Sequence, residues 1–108
     1  MPTRRVSEFE LRRLFNDGRY YERAQAREFR TVIVSENRRQ GGDRRIRNSK
    51  SQIVEYWDKF GTLIARVHQY RMADGSLGAS GRPDPKLLRH EGVLYRLEEE
   101  EQWDFPEW

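Results

Sequence analysis

The chain contains no cysteine and only two histidines among its 108 residues. The lack of cysteine excludes disulfides, thiolate nucleophiles and zinc sites built on thiolates. His68 and His90 are too few for a metal site without carboxylate help, and no metal-ligand spacing surrounds them. We therefore expect no metal and no other cofactor.

Long hydrophobic runs are also missing. No apolar stretch approaches the roughly 18 residues that are needed to span a bilayer. The arginines near the N-terminus precede no apolar segment, so the sequence predicts no secretory signal. We expect no membrane partner and a cytoplasmic location.

Charged residues are abundant, at 36% of the chain, and the two signs are distributed unevenly. All 21 lysines and arginines precede residue 98, whereas six of the 18 acidic residues follow residue 97. A basic body of this kind favours polyanions, and nucleic acid is the commonest polyanion in a cytoplasm. Because arginine supplies 18 of the 21 basic residues, a GC-rich genome, which favours arginine on any solvated face, is the alternative explanation of this composition.

Hydrophobic periodicity and turn residues predict an α+β fold. Ser7 and Glu10 form a capping-box pattern ahead of an apolar stripe that ends before Gly18. The predicted order is a helix over about 7–17, a helix or strand over 19–28, a strand over 31–35, a hairpin over 52–70, a turn at 74–75 followed by a short strand at 76–77, a helical turn over 85–88 and a strand over 93–97. We expect one or two N-terminal helices followed by a small antiparallel β-meander of three to five strands.

This pattern predicts one α+β domain over residues 1–97, with a flexible basic loop at 37–51 and an acidic, aromatic tail at 98–108. The loop surrounds a Gly-Gly pair and contains the first candidate nucleic-acid contacts. They are Arg38, Arg39, Arg44, Arg45, Arg47 and Lys50. Arginine can bind phosphate through two donors at once, and the glycines let the backbone come close. The alternative is a solvated loop without a ligand.

The hairpin offers a second candidate site. With a four-residue loop Trp57 lies opposite Thr62, and the predicted core face then holds Val54, Tyr56, Leu63, Ala65 and Val67. The other face holds Ile53, Glu55, Trp57, Ile64, Arg66, His68 and Tyr70. RNA cleavage without a metal requires a base, an acid and a cation for the phosphate. Glu55 and His68 are the candidate acid and base, and Arg66 the phosphate ligand; the alternative is a wet sheet face with a salt bridge.

A glycine- and proline-rich loop near residues 78–86 offers a third candidate site. Its glycines permit a backbone anion site beside Ser80, Arg82 and Lys86. It lacks the spacing of a nucleophile elbow and of a P-loop. A rigid turn between two strands is the alternative interpretation.

The tail carries three large rings, Trp103, Phe105 and Trp108, beside four consecutive glutamates. Large exposed rings favour contact with the domain, with a protein partner or with a second copy of the chain. The glutamates are also placed to compete with nucleic acid for the basic surface.

Three functions follow from these patterns. The first is a small basic protein that contacts nucleic acid, RNA before DNA, through its arginine-rich loop. The second is a protein–protein regulator, such as an adaptor, inhibitor or antitoxin, that uses its tail. The third is a metal-independent ribonuclease that uses Glu55, Arg66 and His68.

Overall fold

The computed structural model describes residues 2–38, 49–78 and 81–98. The described elements are β1 (Thr3–Val6), α1 (Glu8–Asp17), α2 (Tyr20–Gln25), β2 (Arg30–Arg38), β3 (Lys50–Trp57), β4 (Leu63–Arg71), β5 (Asp84–His90) and β6 (Val93–Leu97). The predicted α+β class is confirmed. The predicted meander of three to five strands is wrong in extent, because the sheet has six strands.

The strands lie in the order β1-β6-β5-β4-β3-β2. Strands β2 to β6 form an antiparallel meander, and β1 is added at one edge parallel to β6. Only Val6 of the four β1 residues is apolar, so composition gave no strand signal there. Its pairing with β6 is extended by bonds from Leu94 N–H to the Pro2 carbonyl and from Glu98 N–H to the Val6 carbonyl.

Helix α1 begins and ends where local sequence predicted. The Ser7 side-chain oxygen accepts a bond from the Glu10 N–H at 3.1 Å, which satisfies one of the free donors of the first turn. The reciprocal half of the capping box is not formed, because the Glu10 carboxylate pairs with Arg13. Leu11 and Phe15 are fully buried.

The register of the β3–β4 hairpin differs from the predicted one by a bulge. Trp57 lies opposite Leu63 rather than Thr62, and Tyr56 lies opposite Ala65, so Ile64 is the extra residue. Ile64 therefore packs against the core, and Leu63 lies on the opposite face with Trp57. The predicted faces of these two residues are thus reversed. The remaining rungs shift by two residues, and a shift of two leaves every side chain on its predicted face.

Strand β5 replaces the helical turn predicted over 85–88. The two adjacent leucines alternate across the sheet: Leu88 joins the core, and Leu87 is buried on the opposite face. The predicted loop at 37–51 is also shortened, because Arg38 and Lys50 are paired strand residues. Residues 39–48 lie outside the described part of the chain.

The core lies between the two helices and one face of the sheet. Four rings stack through it with centroids 6.0 to 6.3 Å apart, namely Phe15, Tyr20, Phe29 and Tyr56. Full burial of an aromatic side chain contributes about 1.5–3 kcal/mol, so this stack supplies much of the stability of a small core. No helix within the described ranges is long and apolar enough to cross a membrane.

Candidate nucleic-acid interface

The sheet face opposite the helices is rich in arginine, and we call it the arginine face. Side chains alternate along a strand, so residues next to the core positions Val54, Val67 and Leu88 point to this face. Its charged and aromatic members are Arg5, Arg30, Glu55, Trp57, Arg66, His68, Tyr70, Arg89 and Arg96. Among the described strand residues, five arginines on this face thus accompany Glu55, and Asp84 of β5 lies opposite His68 and pairs with Arg12 and Lys86.

One row of the arginine face crosses five strands. Glu55 lies opposite Arg66, Arg66 opposite Leu87, Leu87 opposite Arg96, and Arg96 opposite Arg5. Neighbouring strands are about 4.8 Å apart, so the row is about 19 Å long. Cations from β4, β6 and β1 therefore form a line across the sheet.

Glu55 holds two of its neighbours in fixed positions. Its Oε2 accepts bonds from Arg66 Nε at 3.1 Å and Nη2 at 2.9 Å. Its Oε1 accepts a bond from the Trp57 indole at 3.2 Å. The Glu55 and Arg66 side chains are only 10% and 18% exposed, so this ion pair is shielded from water and its geometry is well defined.

His68 follows Arg66 by two residues on β4 and forms a second set of side-chain contacts on this face. Its Nε2 lies 2.7 Å from the Ser51 hydroxyl oxygen, and the Tyr70 ring packs edge-on with centroids 4.7 Å apart. His68 is 5% exposed and Glu55 is 7% exposed. The three residues proposed for catalysis thus share a face, but His68 lies opposite Ile53, on a different rung from the Glu55–Arg66 pair.

The basic loop predicted to bind nucleic acid is described only at its ends. Arg38 and Lys50 are exposed and lie opposite each other in the last rung of β2 and β3. Alternation from Val54 directs them to the helix-bearing side, where Lys50 Nζ lies 3.7 Å from a Glu36 oxygen. Arg39, Arg44, Arg45 and Arg47 lie outside the described residues.

The predicted anion loop is occupied by contacts within the protein. Arg82 donates to both carboxylate oxygens of Glu22 at 2.8 and 3.2 Å and to the Asn16 side chain at 3.2 Å. This hydrogen bonding raises the pKa of Arg82 and lowers that of Glu22. Lys86 donates to Asp84 at 3.0 Å. These contacts favour the alternative of a turn fixed to the helices, and Ser80 lies outside the described residues.

The three rings predicted to bind a partner, Trp103, Phe105 and Trp108, also lie outside the described part of the chain. No group of three or more histidines, aspartates or glutamates in residues 2–38, 49–78 and 81–98 is placed to hold a metal ion.

The sequence-based search missed four arginines of the arginine face. Arg5, Arg30, Arg89 and Arg96 come from four different strands, and only the order of those strands brings them together. Alternation within β6, with Tyr95 toward the core and Arg96 away from it, was the one local signal available.

Chemically, this arrangement offers several phosphate ligands and two aromatic rings on one side of a sheet.

Comparisons of the chain with known protein families, with curated proteins and with solved structures find no match to any of them.

Proposed function

We propose that this protein binds single-stranded nucleic acid, RNA before DNA, on the arginine face. The observation that carries the proposal is the set of five arginines on the face without helices, where Glu55 and, by register, Asp84 are the strand carboxylates. Guanidinium groups bind phosphate oxygens through paired donors, and phosphate contacts dominate affinity for nucleic acid.

Two aromatic side chains support a single strand as the ligand. Trp57 lies at one end of β3, and Tyr70 lies opposite Ser51 near the other end. Six residues of strand separate these rungs, which is about 20 Å. Unpaired bases stack on such rings at about 1–3 kcal/mol per base. A strand running along β3 and β4 would meet a ring at each end and arginines between them.

The arginine-rich loop remains part of this proposal. The Arg38 and Lys50 rung at its described ends is next to the rung of Tyr70. The arginines of residues 39–48, which lie outside the described part of the chain, stay in this proposal as further candidate phosphate contacts.

Two adjacent arginines on opposite faces provide the test. Arg5 is on the arginine face, whereas Arg4 lies on the helix side with Val6. We expect Arg5→Gln to weaken binding of a labelled RNA dodecamer and to reduce the slope of log K against log salt by about 0.7, the value for one phosphate contact of a single strand. Arg4→Gln removes the same charge and should leave the slope unchanged. Equal effects of the two variants would refute binding on this face.

A metal-independent ribonuclease is the second candidate, because Glu55, Arg66 and His68 share the arginine face. The same RNA is examined for cleavage in the presence of a chelator. Loss of cleavage in His68→Ala with retained binding would support this candidate. Intact RNA after prolonged incubation with the wild-type protein would eliminate it.

A further inference from the structure

A cleft lies at the corner of the sheet where β2 begins and the β3–β4 turn projects. Its volume is about 680 Å³, and the turn contributes Asp58, Lys59 and Gly61 to its lining. The segment after α2 contributes the other residues, which are Arg27, Glu28, Phe29, Arg30 and Thr31. The cleft therefore combines three cations with two carboxylates.

The two carboxylates are already committed to neighbouring groups. A Glu28 oxygen lies 2.6 Å from Arg23 Nε. Asp58 Oδ1 accepts the backbone N–H groups of Phe60 at 2.8 Å and Thr62 at 2.9 Å. Glu28 is thus paired with a cation outside the cleft lining, whereas Asp58 keeps its negative charge, so three cations of the cleft face one uncompensated carboxylate.

The three cations have no carboxylate partner in the described structure. Arg27, Arg30 and Lys59 form no ion pair with any residue of the described ranges. Lys59 Nζ lies 5.3 Å from the centre of the Phe60 ring, and that ring is 81% exposed. A concentrated positive charge beside an exposed ring suits a nucleotide, which has both an anionic and a flat apolar part.

The backbone at Arg27 has a conformation that makes this residue suitable for a test by substitution. Its φ is +64°, in the left-handed region that disfavours every residue with a β-carbon. Its N–H donates to the Ala24 carbonyl and that of Glu28 to the Arg23 carbonyl, which is a helix ending that usually contains glycine. An arginine at this position costs stability relative to glycine, as does Arg19, which lies outside the cleft lining.

We propose that this cleft binds the terminal phosphate monoester of a nucleic-acid strand, an inference that rests on the proposed function. A monoester carries nearly two negative charges at neutral pH, whereas an internal diester carries one. Three cations against the single uncompensated carboxylate of Asp58 leave an excess of about two positive charges, which matches the monoester better. The cleft is continuous with the arginine face, because Arg30 belongs to both and lies opposite Trp57.

The test uses one RNA decamer with an internal label in three forms: with a 5′-phosphate, with a 3′-phosphate, and with neither. We expect one phosphorylated form to bind the full chain about tenfold more tightly than the unphosphorylated form, the effect of one charge-assisted hydrogen bond. Which form gains affinity identifies the end of the strand that the cleft holds.

Arg27→Gly and Arg19→Gly form a matched pair of variants. Arg19 also has a positive φ, of +56°, and it is not among the residues that line the cleft. Both changes remove one charge and relieve the same backbone strain, so both proteins should melt at or above the wild-type temperature. We expect Arg27→Gly to abolish the advantage of the terminal phosphate and Arg19→Gly to retain it.

Three results would overturn the inference. Equal affinity of the wild-type chain for all three RNAs would refute the cleft while leaving binding on the arginine face intact. If Arg27→Gly and Arg19→Gly lose the higher affinity for phosphorylated RNA equally, that affinity comes from the net charge of the protein and not from the cleft. No binding of any RNA would refute the proposed function itself, and the terminal-phosphate site with it.

Discussion

Replacing Glu55 by Gln tests whether its carboxylate on the arginine face stabilises the fold but weakens the binding of nucleic acid. Breaking a fully buried ion pair costs about 3–5 kcal/mol, and an exposed pair contributes about 0–1 kcal/mol. With side-chain exposures of 10% and 18%, the Glu55–Arg66 pair is near the buried limit. Glutamine keeps the size and one acceptor oxygen, so we expect Glu55→Gln to lower the free energy of unfolding by about 2 kcal/mol.

Urea unfolding followed by circular dichroism measures this change. A loss of about 2 kcal/mol lowers the midpoint by about 1 M for a slope of about 2 kcal/mol per molar urea. The control is Glu91→Gln, because the Glu91 side chain is 84% exposed and such changes alter stability by about 0.5 kcal/mol or less. If Glu55→Gln unfolds at the wild-type midpoint, the ion pair is not a stabilising contact and the reasoning is wrong.

The same variant has the opposite expected effect on ligand binding. Removing a negative charge about 7 Å from a bound phosphate improves affinity about threefold in water. RNA should therefore bind Glu55→Gln more tightly although the fold is weaker. If the protein is a ribonuclease that uses Glu55, binding is retained and cleavage is lost, so a single variant separates the two candidate functions.

Three further predictions concern the packing and the tail. In Gly18→Ala the new Cβ would lie 2.3 Å from Cε2 of Tyr20, whose ring is stacked in the core, so we expect a loss of about 1–3 kcal/mol from overpacking; unchanged thermal unfolding would contradict it. Burial raises the pKa of Tyr20 and Tyr56 above the ordinary value of 10.0. The folded state then holds protons that the unfolded state releases, so stability should fall as the pH rises above about 10, and absorbance titration at 295 nm should show two tyrosines that ionise at a higher pH in the folded chain than in the unfolded chain. Ending the chain after Glu98 removes five acidic residues, and salt-sensitive RNA binding should become tighter; equal or weaker binding would argue against competition by the tail.

The parts of the fold that sequence predicted well have strong local signals. Helix α1 has a capping serine and an apolar stripe that ends before Gly18, and its observed bounds agree with that pattern. Strand β6 follows the two-residue turn at Glu91 and Gly92, both with positive φ, as type I′ hairpins require. Such signals act within a few residues, so one sequence reveals them.

The elements that were missed depend on distant partners. β1 has one apolar residue and becomes a strand only because β6 offers an edge for parallel pairing. Leu87 and Leu88 fit a helix or a strand equally well, and neighbours on both sides of β5 decide between the two. The bulge at Ile64 is likewise a compromise between the turn and the pairing of the strands, which a two-residue periodicity does not encode.

The candidate site shows the same limit. Arginines that are close in sequence, such as those of residues 38–47, attract attention before a structure is known. The successive arginines of the arginine face, from Arg5 to Arg96, are 25, 36, 23 and 7 residues apart in the chain, and strand order alone assembles them. Sequence placed Glu55, Arg66 and His68 on a shared face because all three belong to one hairpin, whose alternation survives a register error of two residues.

Two features of the arginine face and its cleft work against stability. Arg5 and Arg96 lie directly opposite each other on neighbouring strands, an arrangement of like charges that weakens a sheet. Arg27 adopts a left-handed backbone that glycine would adopt without strain. Departures from local rules are expected where a surface serves a ligand rather than the fold. Arg5 and Arg96 place positive charge on the arginine face, and Arg27 places it in the adjoining cleft. An extended polyanion with a charged end would need both surfaces side by side.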